Sequence, residues 1–301
     1  MLFRSGSTTT PTPAPPPFPR AAVLLKPSLG MHGTVFVQAA SRENPRNHVP
    51  NIVLAAEHYN VIARLLEKHI PVKVRVNVQT RFFNTRESAN VIADIPGTDP
   101  QLRNDIVLVG GHLDSWHTAT GATDNADGAA QVMEAARIIL ASGLKPRRTI
   151  RFALWSGEEE GLLGSEAYVK AHLSGDERQA ARDRFDVYFN VDPGTGPIYG
   201  WYMENNAPAK ATFDAWLAPW KDLGARTNIA AGIGNTDHLS FKAVGLPGFT
   251  PVQEYADYDV RLHHTNADTA ERVKDADMKQ AAVMLASFAY QAAVRIERIP
   301  R

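Results

Sequence analysis

From about residue 85 onward the chain alternates short apolar strands with amphipathic helices, and this alternation constrains the fold more than any other feature. Ile106-Val107-Leu108-Val109 is continuously apolar, as a strand covered on both faces of a sheet must be. Val91 to Ile95 comes before it and is closed by Pro96-Gly97. Asp127 to Ala141 has helical periodicity, with Val132, Met133, Ala136, Ile139 and Leu140 assigned to the inner face and Gly143 just past the end. Thr149 to Trp155 and Val187 to Val191 read as further strands, and Ser165 to His172 as a helix. A long final helix is expected from about Asp275 to Ile296, with Met278, Ala282, Leu285, Phe288 and Ala292 inward. The expected architecture is an α/β three-layer sandwich, a largely parallel central sheet flanked by helices.

The part before residue 85 is different. Pro11, Pro13, Pro15, Pro16, Pro17 and Pro19 crowd a Thr/Pro/Ala tract, so residues 1–20 read as an extended, disordered tail. The tract falls where the apolar core of a signal peptide would lie, and no stretch is apolar for long enough to span a membrane. The chain as written therefore reads as soluble. Residues 21–84 read as a small α/β piece: a short strand at Thr34 to Val37, and a helix from Glu57 to Lys68 with Ile62, Leu65 and Leu66 on one face. Strict alternation from Val72 to Val78 adds an expected strand. So small a piece is expected to pack on the larger C-terminal part of the chain.

In an open α/β sheet, ligands bind beyond the carboxyl ends of the strands. Here those ends deliver Gly110-Gly111-His112-Leu113-Asp114, then Ser156-Gly157-Glu158-Glu159-Glu160-Gly161, then Asp192-Pro193-Gly194. A further acid, Asp124, opens the helix at 127–141. Taken singly, each has an ordinary reading: the Glu run as a solvated turn, Asp124 as a helix cap, Asp192 as a turn residue, His112 as a core histidine. Gathered at one sheet edge, like charges repel, and a bound cation resolves the repulsion. The chain has no cysteine, so a metal would have to be held by His, Asp and Glu.

Several motifs stand in register along the chain: Gly111-His112-Leu113-Asp114-Ser115, Gly121-Ala122-Thr123-Asp124-Asn125, Glu158-Glu159-Glu160-Gly161-Leu162-Leu163-Gly164-Ser165, Asp192, Thr236-Asp237-His238, and His264-Thr265 with Asp268-Thr269. From about residue 85 to the last residue the chain resembles the di-zinc exopeptidases that include bacterial leucyl aminopeptidase, aminopeptidase Y and plasma glutamate carboxypeptidase. The resemblance implies a catalytic domain over 85–301. It implies one zinc ion held by His112 and Asp192, a second by Glu159 and His264, and Asp124 bridging both. It further implies Glu158 as general base and Asp114 as the carboxylate that orients the His112 imidazole. His263 stands where some relatives place a tyrosine, as a candidate donor to the oxyanion. Asp237 and His238 are left between a structural and a functional role. Relatives of this type are secreted or periplasmic, longer, and carry a protease-associated insert; residues 21–84 resemble the tail of such an insert, as in an N-terminally truncated member.

The implied activity is hydrolysis of terminal peptide bonds in peptides or dipeptides by a metal-bound hydroxide. Two other readings stand beside it: a single-zinc acyltransferase similar to glutaminyl cyclase, which needs only one metal set, and a non-catalytic receptor-like domain of the same fold. A serine hydrolase is disfavoured because no G-x-S-x-G elbow occurs. Lys+Arg and Asp+Glu number 32 each, which gives no electrostatic reason to expect nucleic acid as partner. Asp257, Asp259 and Arg261 lie near His264, so recognition of a substrate's amino or carboxyl terminus stays open, as does the oligomeric state.

Overall fold

The computed structural model describes residues 21–38, 49–81, 87–192, 194–254 and 257–301. The Pro-rich tract at 1–20 lies outside the described residues. In chain order the elements are β1 (Leu24–Pro27), β2 (Asn51–Leu54), α1 (Ala56–Glu67), β3 (Val91–Ile95), β4 (Ile106–His112), α2 (Asp127–Ala141), β5 (Thr149–Trp155) and α3 (Leu163–His172). They continue with α4 (Gln179–Asp183), β6 (Phe185–Asn190), β7 (Thr195–Tyr202), α5 (Ala207–Leu217), α6 (His238–Lys242), β8 (Gly248–Glu254) and α7 (Asp275–Val294).

Six strands form one sheet in the order β3-β5-β4-β6-β8-β7. The four central strands run parallel, and β3 and β7 close the two edges antiparallel. The apolar run in β4 has its reason here. Val107 and Val109 face the layer holding Val132 and Ile139 of α2 and Leu285 and Phe288 of α7. Leu108 faces the opposite layer with Tyr168 and Val169 of α3 and Phe241 of α6. Each such fully buried side chain contributes roughly 1.5–3 kcal/mol by leaving water, so the covered sheet is the rigid part on which a site can be mounted.

Several local expectations need correcting. Val72 to Val78 forms no strand; the segment is exposed and without regular structure. Alternating valines suit a strand only where a partner edge supplies hydrogen bonds. Thr34 to Val37 contributes one isolated bridge, Phe36 to Thr265, instead of a strand. Met133 and Leu140 of α2 point to solvent, at 62% and 65% exposed, and Gln131 and Ala135 take inner positions. Seven residues apart, those two share a stripe one step off the buried one. Met278 is only half-buried, whereas Ala282, Leu285, Phe288 and Ala292 are inward as expected. Gly143 does follow α2 with φ of +70°, the left-handed conformation a glycine adopts freely.

The N-terminal piece is a parallel β1–β2 pair with α1, and α1 buries none of its residues. It docks on the remainder through backbone hydrogen bonds, Met31 N–H to the Val260 carbonyl (3.1 Å) and Val37 N–H to the His264 carbonyl (2.9 Å). No described helix is long and apolar enough to cross a membrane.

Candidate metal centre

Strand register brings the candidate residues to one rim. His112, the last residue of β4, lies opposite Trp155, the last of β5, and Gly110 lies opposite Asn190, the last of β6. Glu158 and Glu159 therefore follow β5, and Asp192 follows β6, just above His112. Beneath them runs a buried chain of hydrogen bonds. Trp155 Nε1 donates to Tyr188 Oη (2.7 Å), Tyr188 Oη to Asn190 Oδ1 (2.5 Å), and Asn190 Nδ2 to Thr236 Oγ1 (2.7 Å).

Asp124 enters from the loop between β4 and α2. Gly121 opens this turn at φ +65°, where a Cβ would stand 2.3 Å from the Ser115 side chain, so the turn needs glycine. The Asp124–Asn125 peptide bond is cis. Asn125 Nδ2 donates to the Val191 carbonyl (2.8 Å), tying the loop to the end of β6. The far end of the loop is fastened by Asp268, whose carboxylate accepts from the amide and hydroxyl of Thr123 and from the amide of Asp124.

The two oxygens of Asp124 face two histidines. Oδ1 lies 3.2 Å from His112 Nε2 and Oδ2 lies 3.4 Å from His264 Nε2. His112 Nε2 is also 3.4 Å from Asp192 Oδ1, and His264 Nε2 is 3.0 Å from Glu159 Oε2. The donors of His112, Asp124 and Glu159 lie within 4.8 Å of one another, and so do those of His112, Glu158 and Asp192. A third such set joins Asp124 to His263 and His264. His112 Nε2 and Glu159 Oε1 are buried with no hydrogen-bond partner among the described residues. Orphaned nitrogen and carboxylate donors around one space fit a divalent cation.

The electrostatics point the same way. Burial, then the charge of Asp192, pushes the Glu158 carboxyl up to about 10. Burial, then Asp124, pushes Glu159 to about 9. Burial opposes a proton on His112, yet Asp192, Asp114 and Asp124 hold its pKa well above the ordinary value. Glu158 and Glu159 thus favour their protonated forms at neutral pH, as expected of carboxyls crowded with other acids in a buried pocket.

Asp114 faces the His112 imidazole with both its backbone carbonyl and its carboxylate. His112 Nδ1 meets the backbone carbonyl of Asp114 at 3.0 Å, whereas the Asp114 carboxylate is 3.7 Å away. That carboxylate also accepts from the backbone amides of Glu158 and Glu159, both at 3.2 Å. It fixes the turn carrying the two glutamates, and the residue's own carbonyl is the nearer of its two acceptors to the imidazole.

His263 is half-exposed, 4.0 Å from Asp124 Oδ2, and stacked on Tyr258 at 5.1 Å between centroids. Glu160 is outside the clustered donors. His238 is not among them either; its Nε2 pairs with Glu204 Oε1 at 3.2 Å. Asp237 is fully buried, and burial pushes its carboxyl up to about 7. Arg261 is paired with Asp257 at 3.3 Å. The sequence motifs contain Asp268 without assigning it a role, and they miss Phe36, which lies 5.3 Å from His264 in a stacked geometry.

A sheet of this order with histidine and carboxylate donors at the strand ends defines a metallopeptidase-like architecture. Residues 90–289 match peptidase family M28, and the chain belongs to that family. Human carboxypeptidase Q is 27% identical over 253 residues, 84% of this chain and 52% of the relative. Leupeptin-inactivating enzyme 1 of Streptomyces exfoliatus is 36% identical over 160 residues, 52% of this chain and 34% of the relative. The chain thus spans about half the length of the carboxypeptidase it matches. Among solved structures, a peptidase M28 precursor from Shewanella amazonensis SB2B superposes with a TM-score of 0.76 at 27% identity, covering 93% of this chain and 62% of that one. A zinc aminopeptidase from Bacillus subtilis shares the fold, with a TM-score of 0.56 at 23% identity over 68% of this chain and 50% of its own.

Proposed function

We propose that the chain is a zinc-dependent exopeptidase that holds two ions and hydrolyses a terminal peptide bond. The observation that carries this reading is Asp124, whose two oxygens face His112 Nε2 on one side and His264 Nε2 on the other. In the proposal His112 and Asp192 complete one ligand set, Glu159 and His264 the other, and Asp124 is common to both. When bound, such an ion pair polarises a scissile carbonyl and makes water a better nucleophile. Glu158 stands beside that space as the proton carrier: bound cations would draw its pKa down and free the carboxylate, which would take a proton from the attacking water and pass it to the leaving amine. Asp114 holds Glu158 in place through its amide, and His263 is the proposed donor to the oxyanion. We place the catalytic unit in residues 85–301 and read 21–84 as belonging to an inserted domain.

The relatives carry carboxypeptidase and aminopeptidase names, and peptides are the proposed substrate class for this chain. The test combines elemental analysis with a panel of aminoacyl-nitroanilides, blocked peptides and free dipeptides, assayed with and without chelator and added zinc. Two ions per chain and chelator-sensitive release of a terminal residue are expected. One ion per chain, unchanged in His112→Ala, would favour the cyclase-like reading. Metal uptake without turnover of any peptide would favour a binding domain.

A further inference from the structure

The two histidines that face Asp124 are supported in different ways. His112 has a hydrogen-bond acceptor for its far nitrogen, the Asp114 carbonyl at 3.0 Å. His264 Nδ1 is buried and has no hydrogen-bond partner among the described residues. A ligating imidazole normally donates that second N–H to a fixed acceptor, which sets its orientation. His264 also sits at φ +56°, a left-handed conformation that costs a residue other than glycine free energy and persists only where its surroundings impose it.

The surroundings are rings and one crossing segment. The His264 imidazole contacts His263 at 3.8 Å, Phe36 at 5.3 Å and Trp116 at 5.9 Å between centroids. Phe36 is stacked on His264 at an interplanar angle of 28° and meets His263 edge-on at 5.9 Å. It is carried by residues 28–38, far outside the region that matches the family. This segment is built to cross the loop. Ser28 Oγ accepts from the amides of Gly30 and Phe36, folding the segment back on itself. Phe36 bridges to Thr265, Val37 N–H donates to the His264 carbonyl (2.9 Å), and Val35 N–H donates to Asn266 Oδ1 (2.7 Å).

We infer that Phe36 is a positioning residue for His264: the N-terminal segment clamps the strained backbone at 264–266, and the phenyl ring fixes the imidazole plane that a hydrogen bond fixes for His112. The inference rests on the reading of His264 as a metal ligand. It makes the small N-terminal piece part of the centre and accounts for the asymmetry between the two histidines. An aromatic face does this work because its contact is planar, whereas an aliphatic side chain of similar bulk fills space without selecting an orientation.

The test is zinc binding by the full chain, measured by competition with a chromophoric chelator, for wild type, Phe36→Leu, Phe36→Ala and Phe36→Tyr. Phe36→Leu keeps the apolar bulk and decides the matter if Phe36→Ala fails to fold. Loss of affinity by about 10-fold or more at one of the two ions, with the other retained, is expected in Phe36→Leu. Phe36→Tyr, which keeps the ring, is expected to bind both as wild type does. Retention of both ions at wild-type affinity in Phe36→Leu overturns the inference, and so does equal loss of both ions. Failure of the wild type to bind two ions counts against the proposed function itself, so the two failures are distinct.

Discussion

The carboxylate of Asp268 holds the backbone of Asp124 from 144 residues further along the chain. Its Oδ1 accepts from the amide and hydroxyl of Thr123 at 2.6 and 2.7 Å, and its Oδ2 accepts from the Asp124 amide at 3.1 Å. The residue proposed to serve both ions is thereby located by one carboxylate on a different loop. Asp268→Asn replaces one accepting oxygen by a donor that opposes a backbone amide. Zinc affinity is expected to weaken by about 10–100-fold, the usual effect of removing a group that orients a ligand. Competitive titration measures this, and an unchanged affinity would show that the loop holds Asp124 without Asp268.

Neighbouring glutamates should separate by what each loses. Glu158→Gln preserves size and removes the basic oxygen, so metal content should persist while turnover falls roughly 10²–10⁴-fold. Glu159→Gln offers zinc a neutral amide in place of a carboxylate, so occupancy of one ion should drop. Elemental analysis alongside steady-state rates distinguishes them. Near wild-type turnover in Glu158→Gln would remove that residue from the proton-transfer role.

Zinc uptake should release protons. In the ion-free chain burial holds the Glu158 and Glu159 carboxyls up at about 10 and about 9, so both carry protons at neutral pH. A cation ligated by Glu159 must displace its proton, and apparent affinity should therefore rise with pH. Calorimetric titration in two buffers of different protonation enthalpy counts the protons. Release of none per chain is the result that contradicts ligation by Glu159.

Away from the centre, Asp186 gives a pH-dependent stability effect. Its Oδ2 lies 3.3 Å from Arg148 Nε in the interior, and burial pushes its pKa up to about 6. A carboxyl whose folded pKa lies above its unfolded value favours the fold below the unfolded pKa, and this contribution is lost as pH rises through the folded one. From about pH 4 to about pH 7, Asp186→Asn should therefore gain roughly 2 kcal/mol relative to wild type. Denaturant melts of both proteins at each pH read this difference directly. A gap that does not change with pH would place the titration elsewhere.

The strand ends were the most legible part of the molecule. His112 ends β4, and Glu158, Glu159 and Asp192 stand just beyond β5 and β6, so strand periodicity places them at one rim. The antiparallel edge at β7 is not legible in the sequence, nor is its neighbour β8. β7 carries two glycines and a proline in Thr195–Tyr202, and β8 contains Pro251, which hides both among turn-forming residues. The Val72 to Val78 alternation overstated a strand because hydrogen-bond partners are not written in a segment's own sequence. The dual role of Asp114 was illegible for a related reason. Its carboxylate reaches amides 44 and 45 residues away, and its carbonyl approaches the imidazole more closely than its side chain does. Phe36 had no local mark at all, since its importance arises from a bridge to Thr265.

The parallel core also divides the molecule end from end. The clustered donors lie at or beyond where β4, β5 and β6 finish, whereas the turn from α2 into β5 lies where β5 begins. At Gly143 an added side chain would meet nothing within 4 Å, and Leu144 beside it is 46% exposed. Extra sequence entering there meets solvent and stays a full strand length from the reactive groups. A fluorophore-bearing peptide spliced between Gly143 and Leu144 is therefore expected to leave the clustered donors at the other end of the same strands in place, and zinc uptake equal to that of the uninterrupted chain is the measurement that checks it.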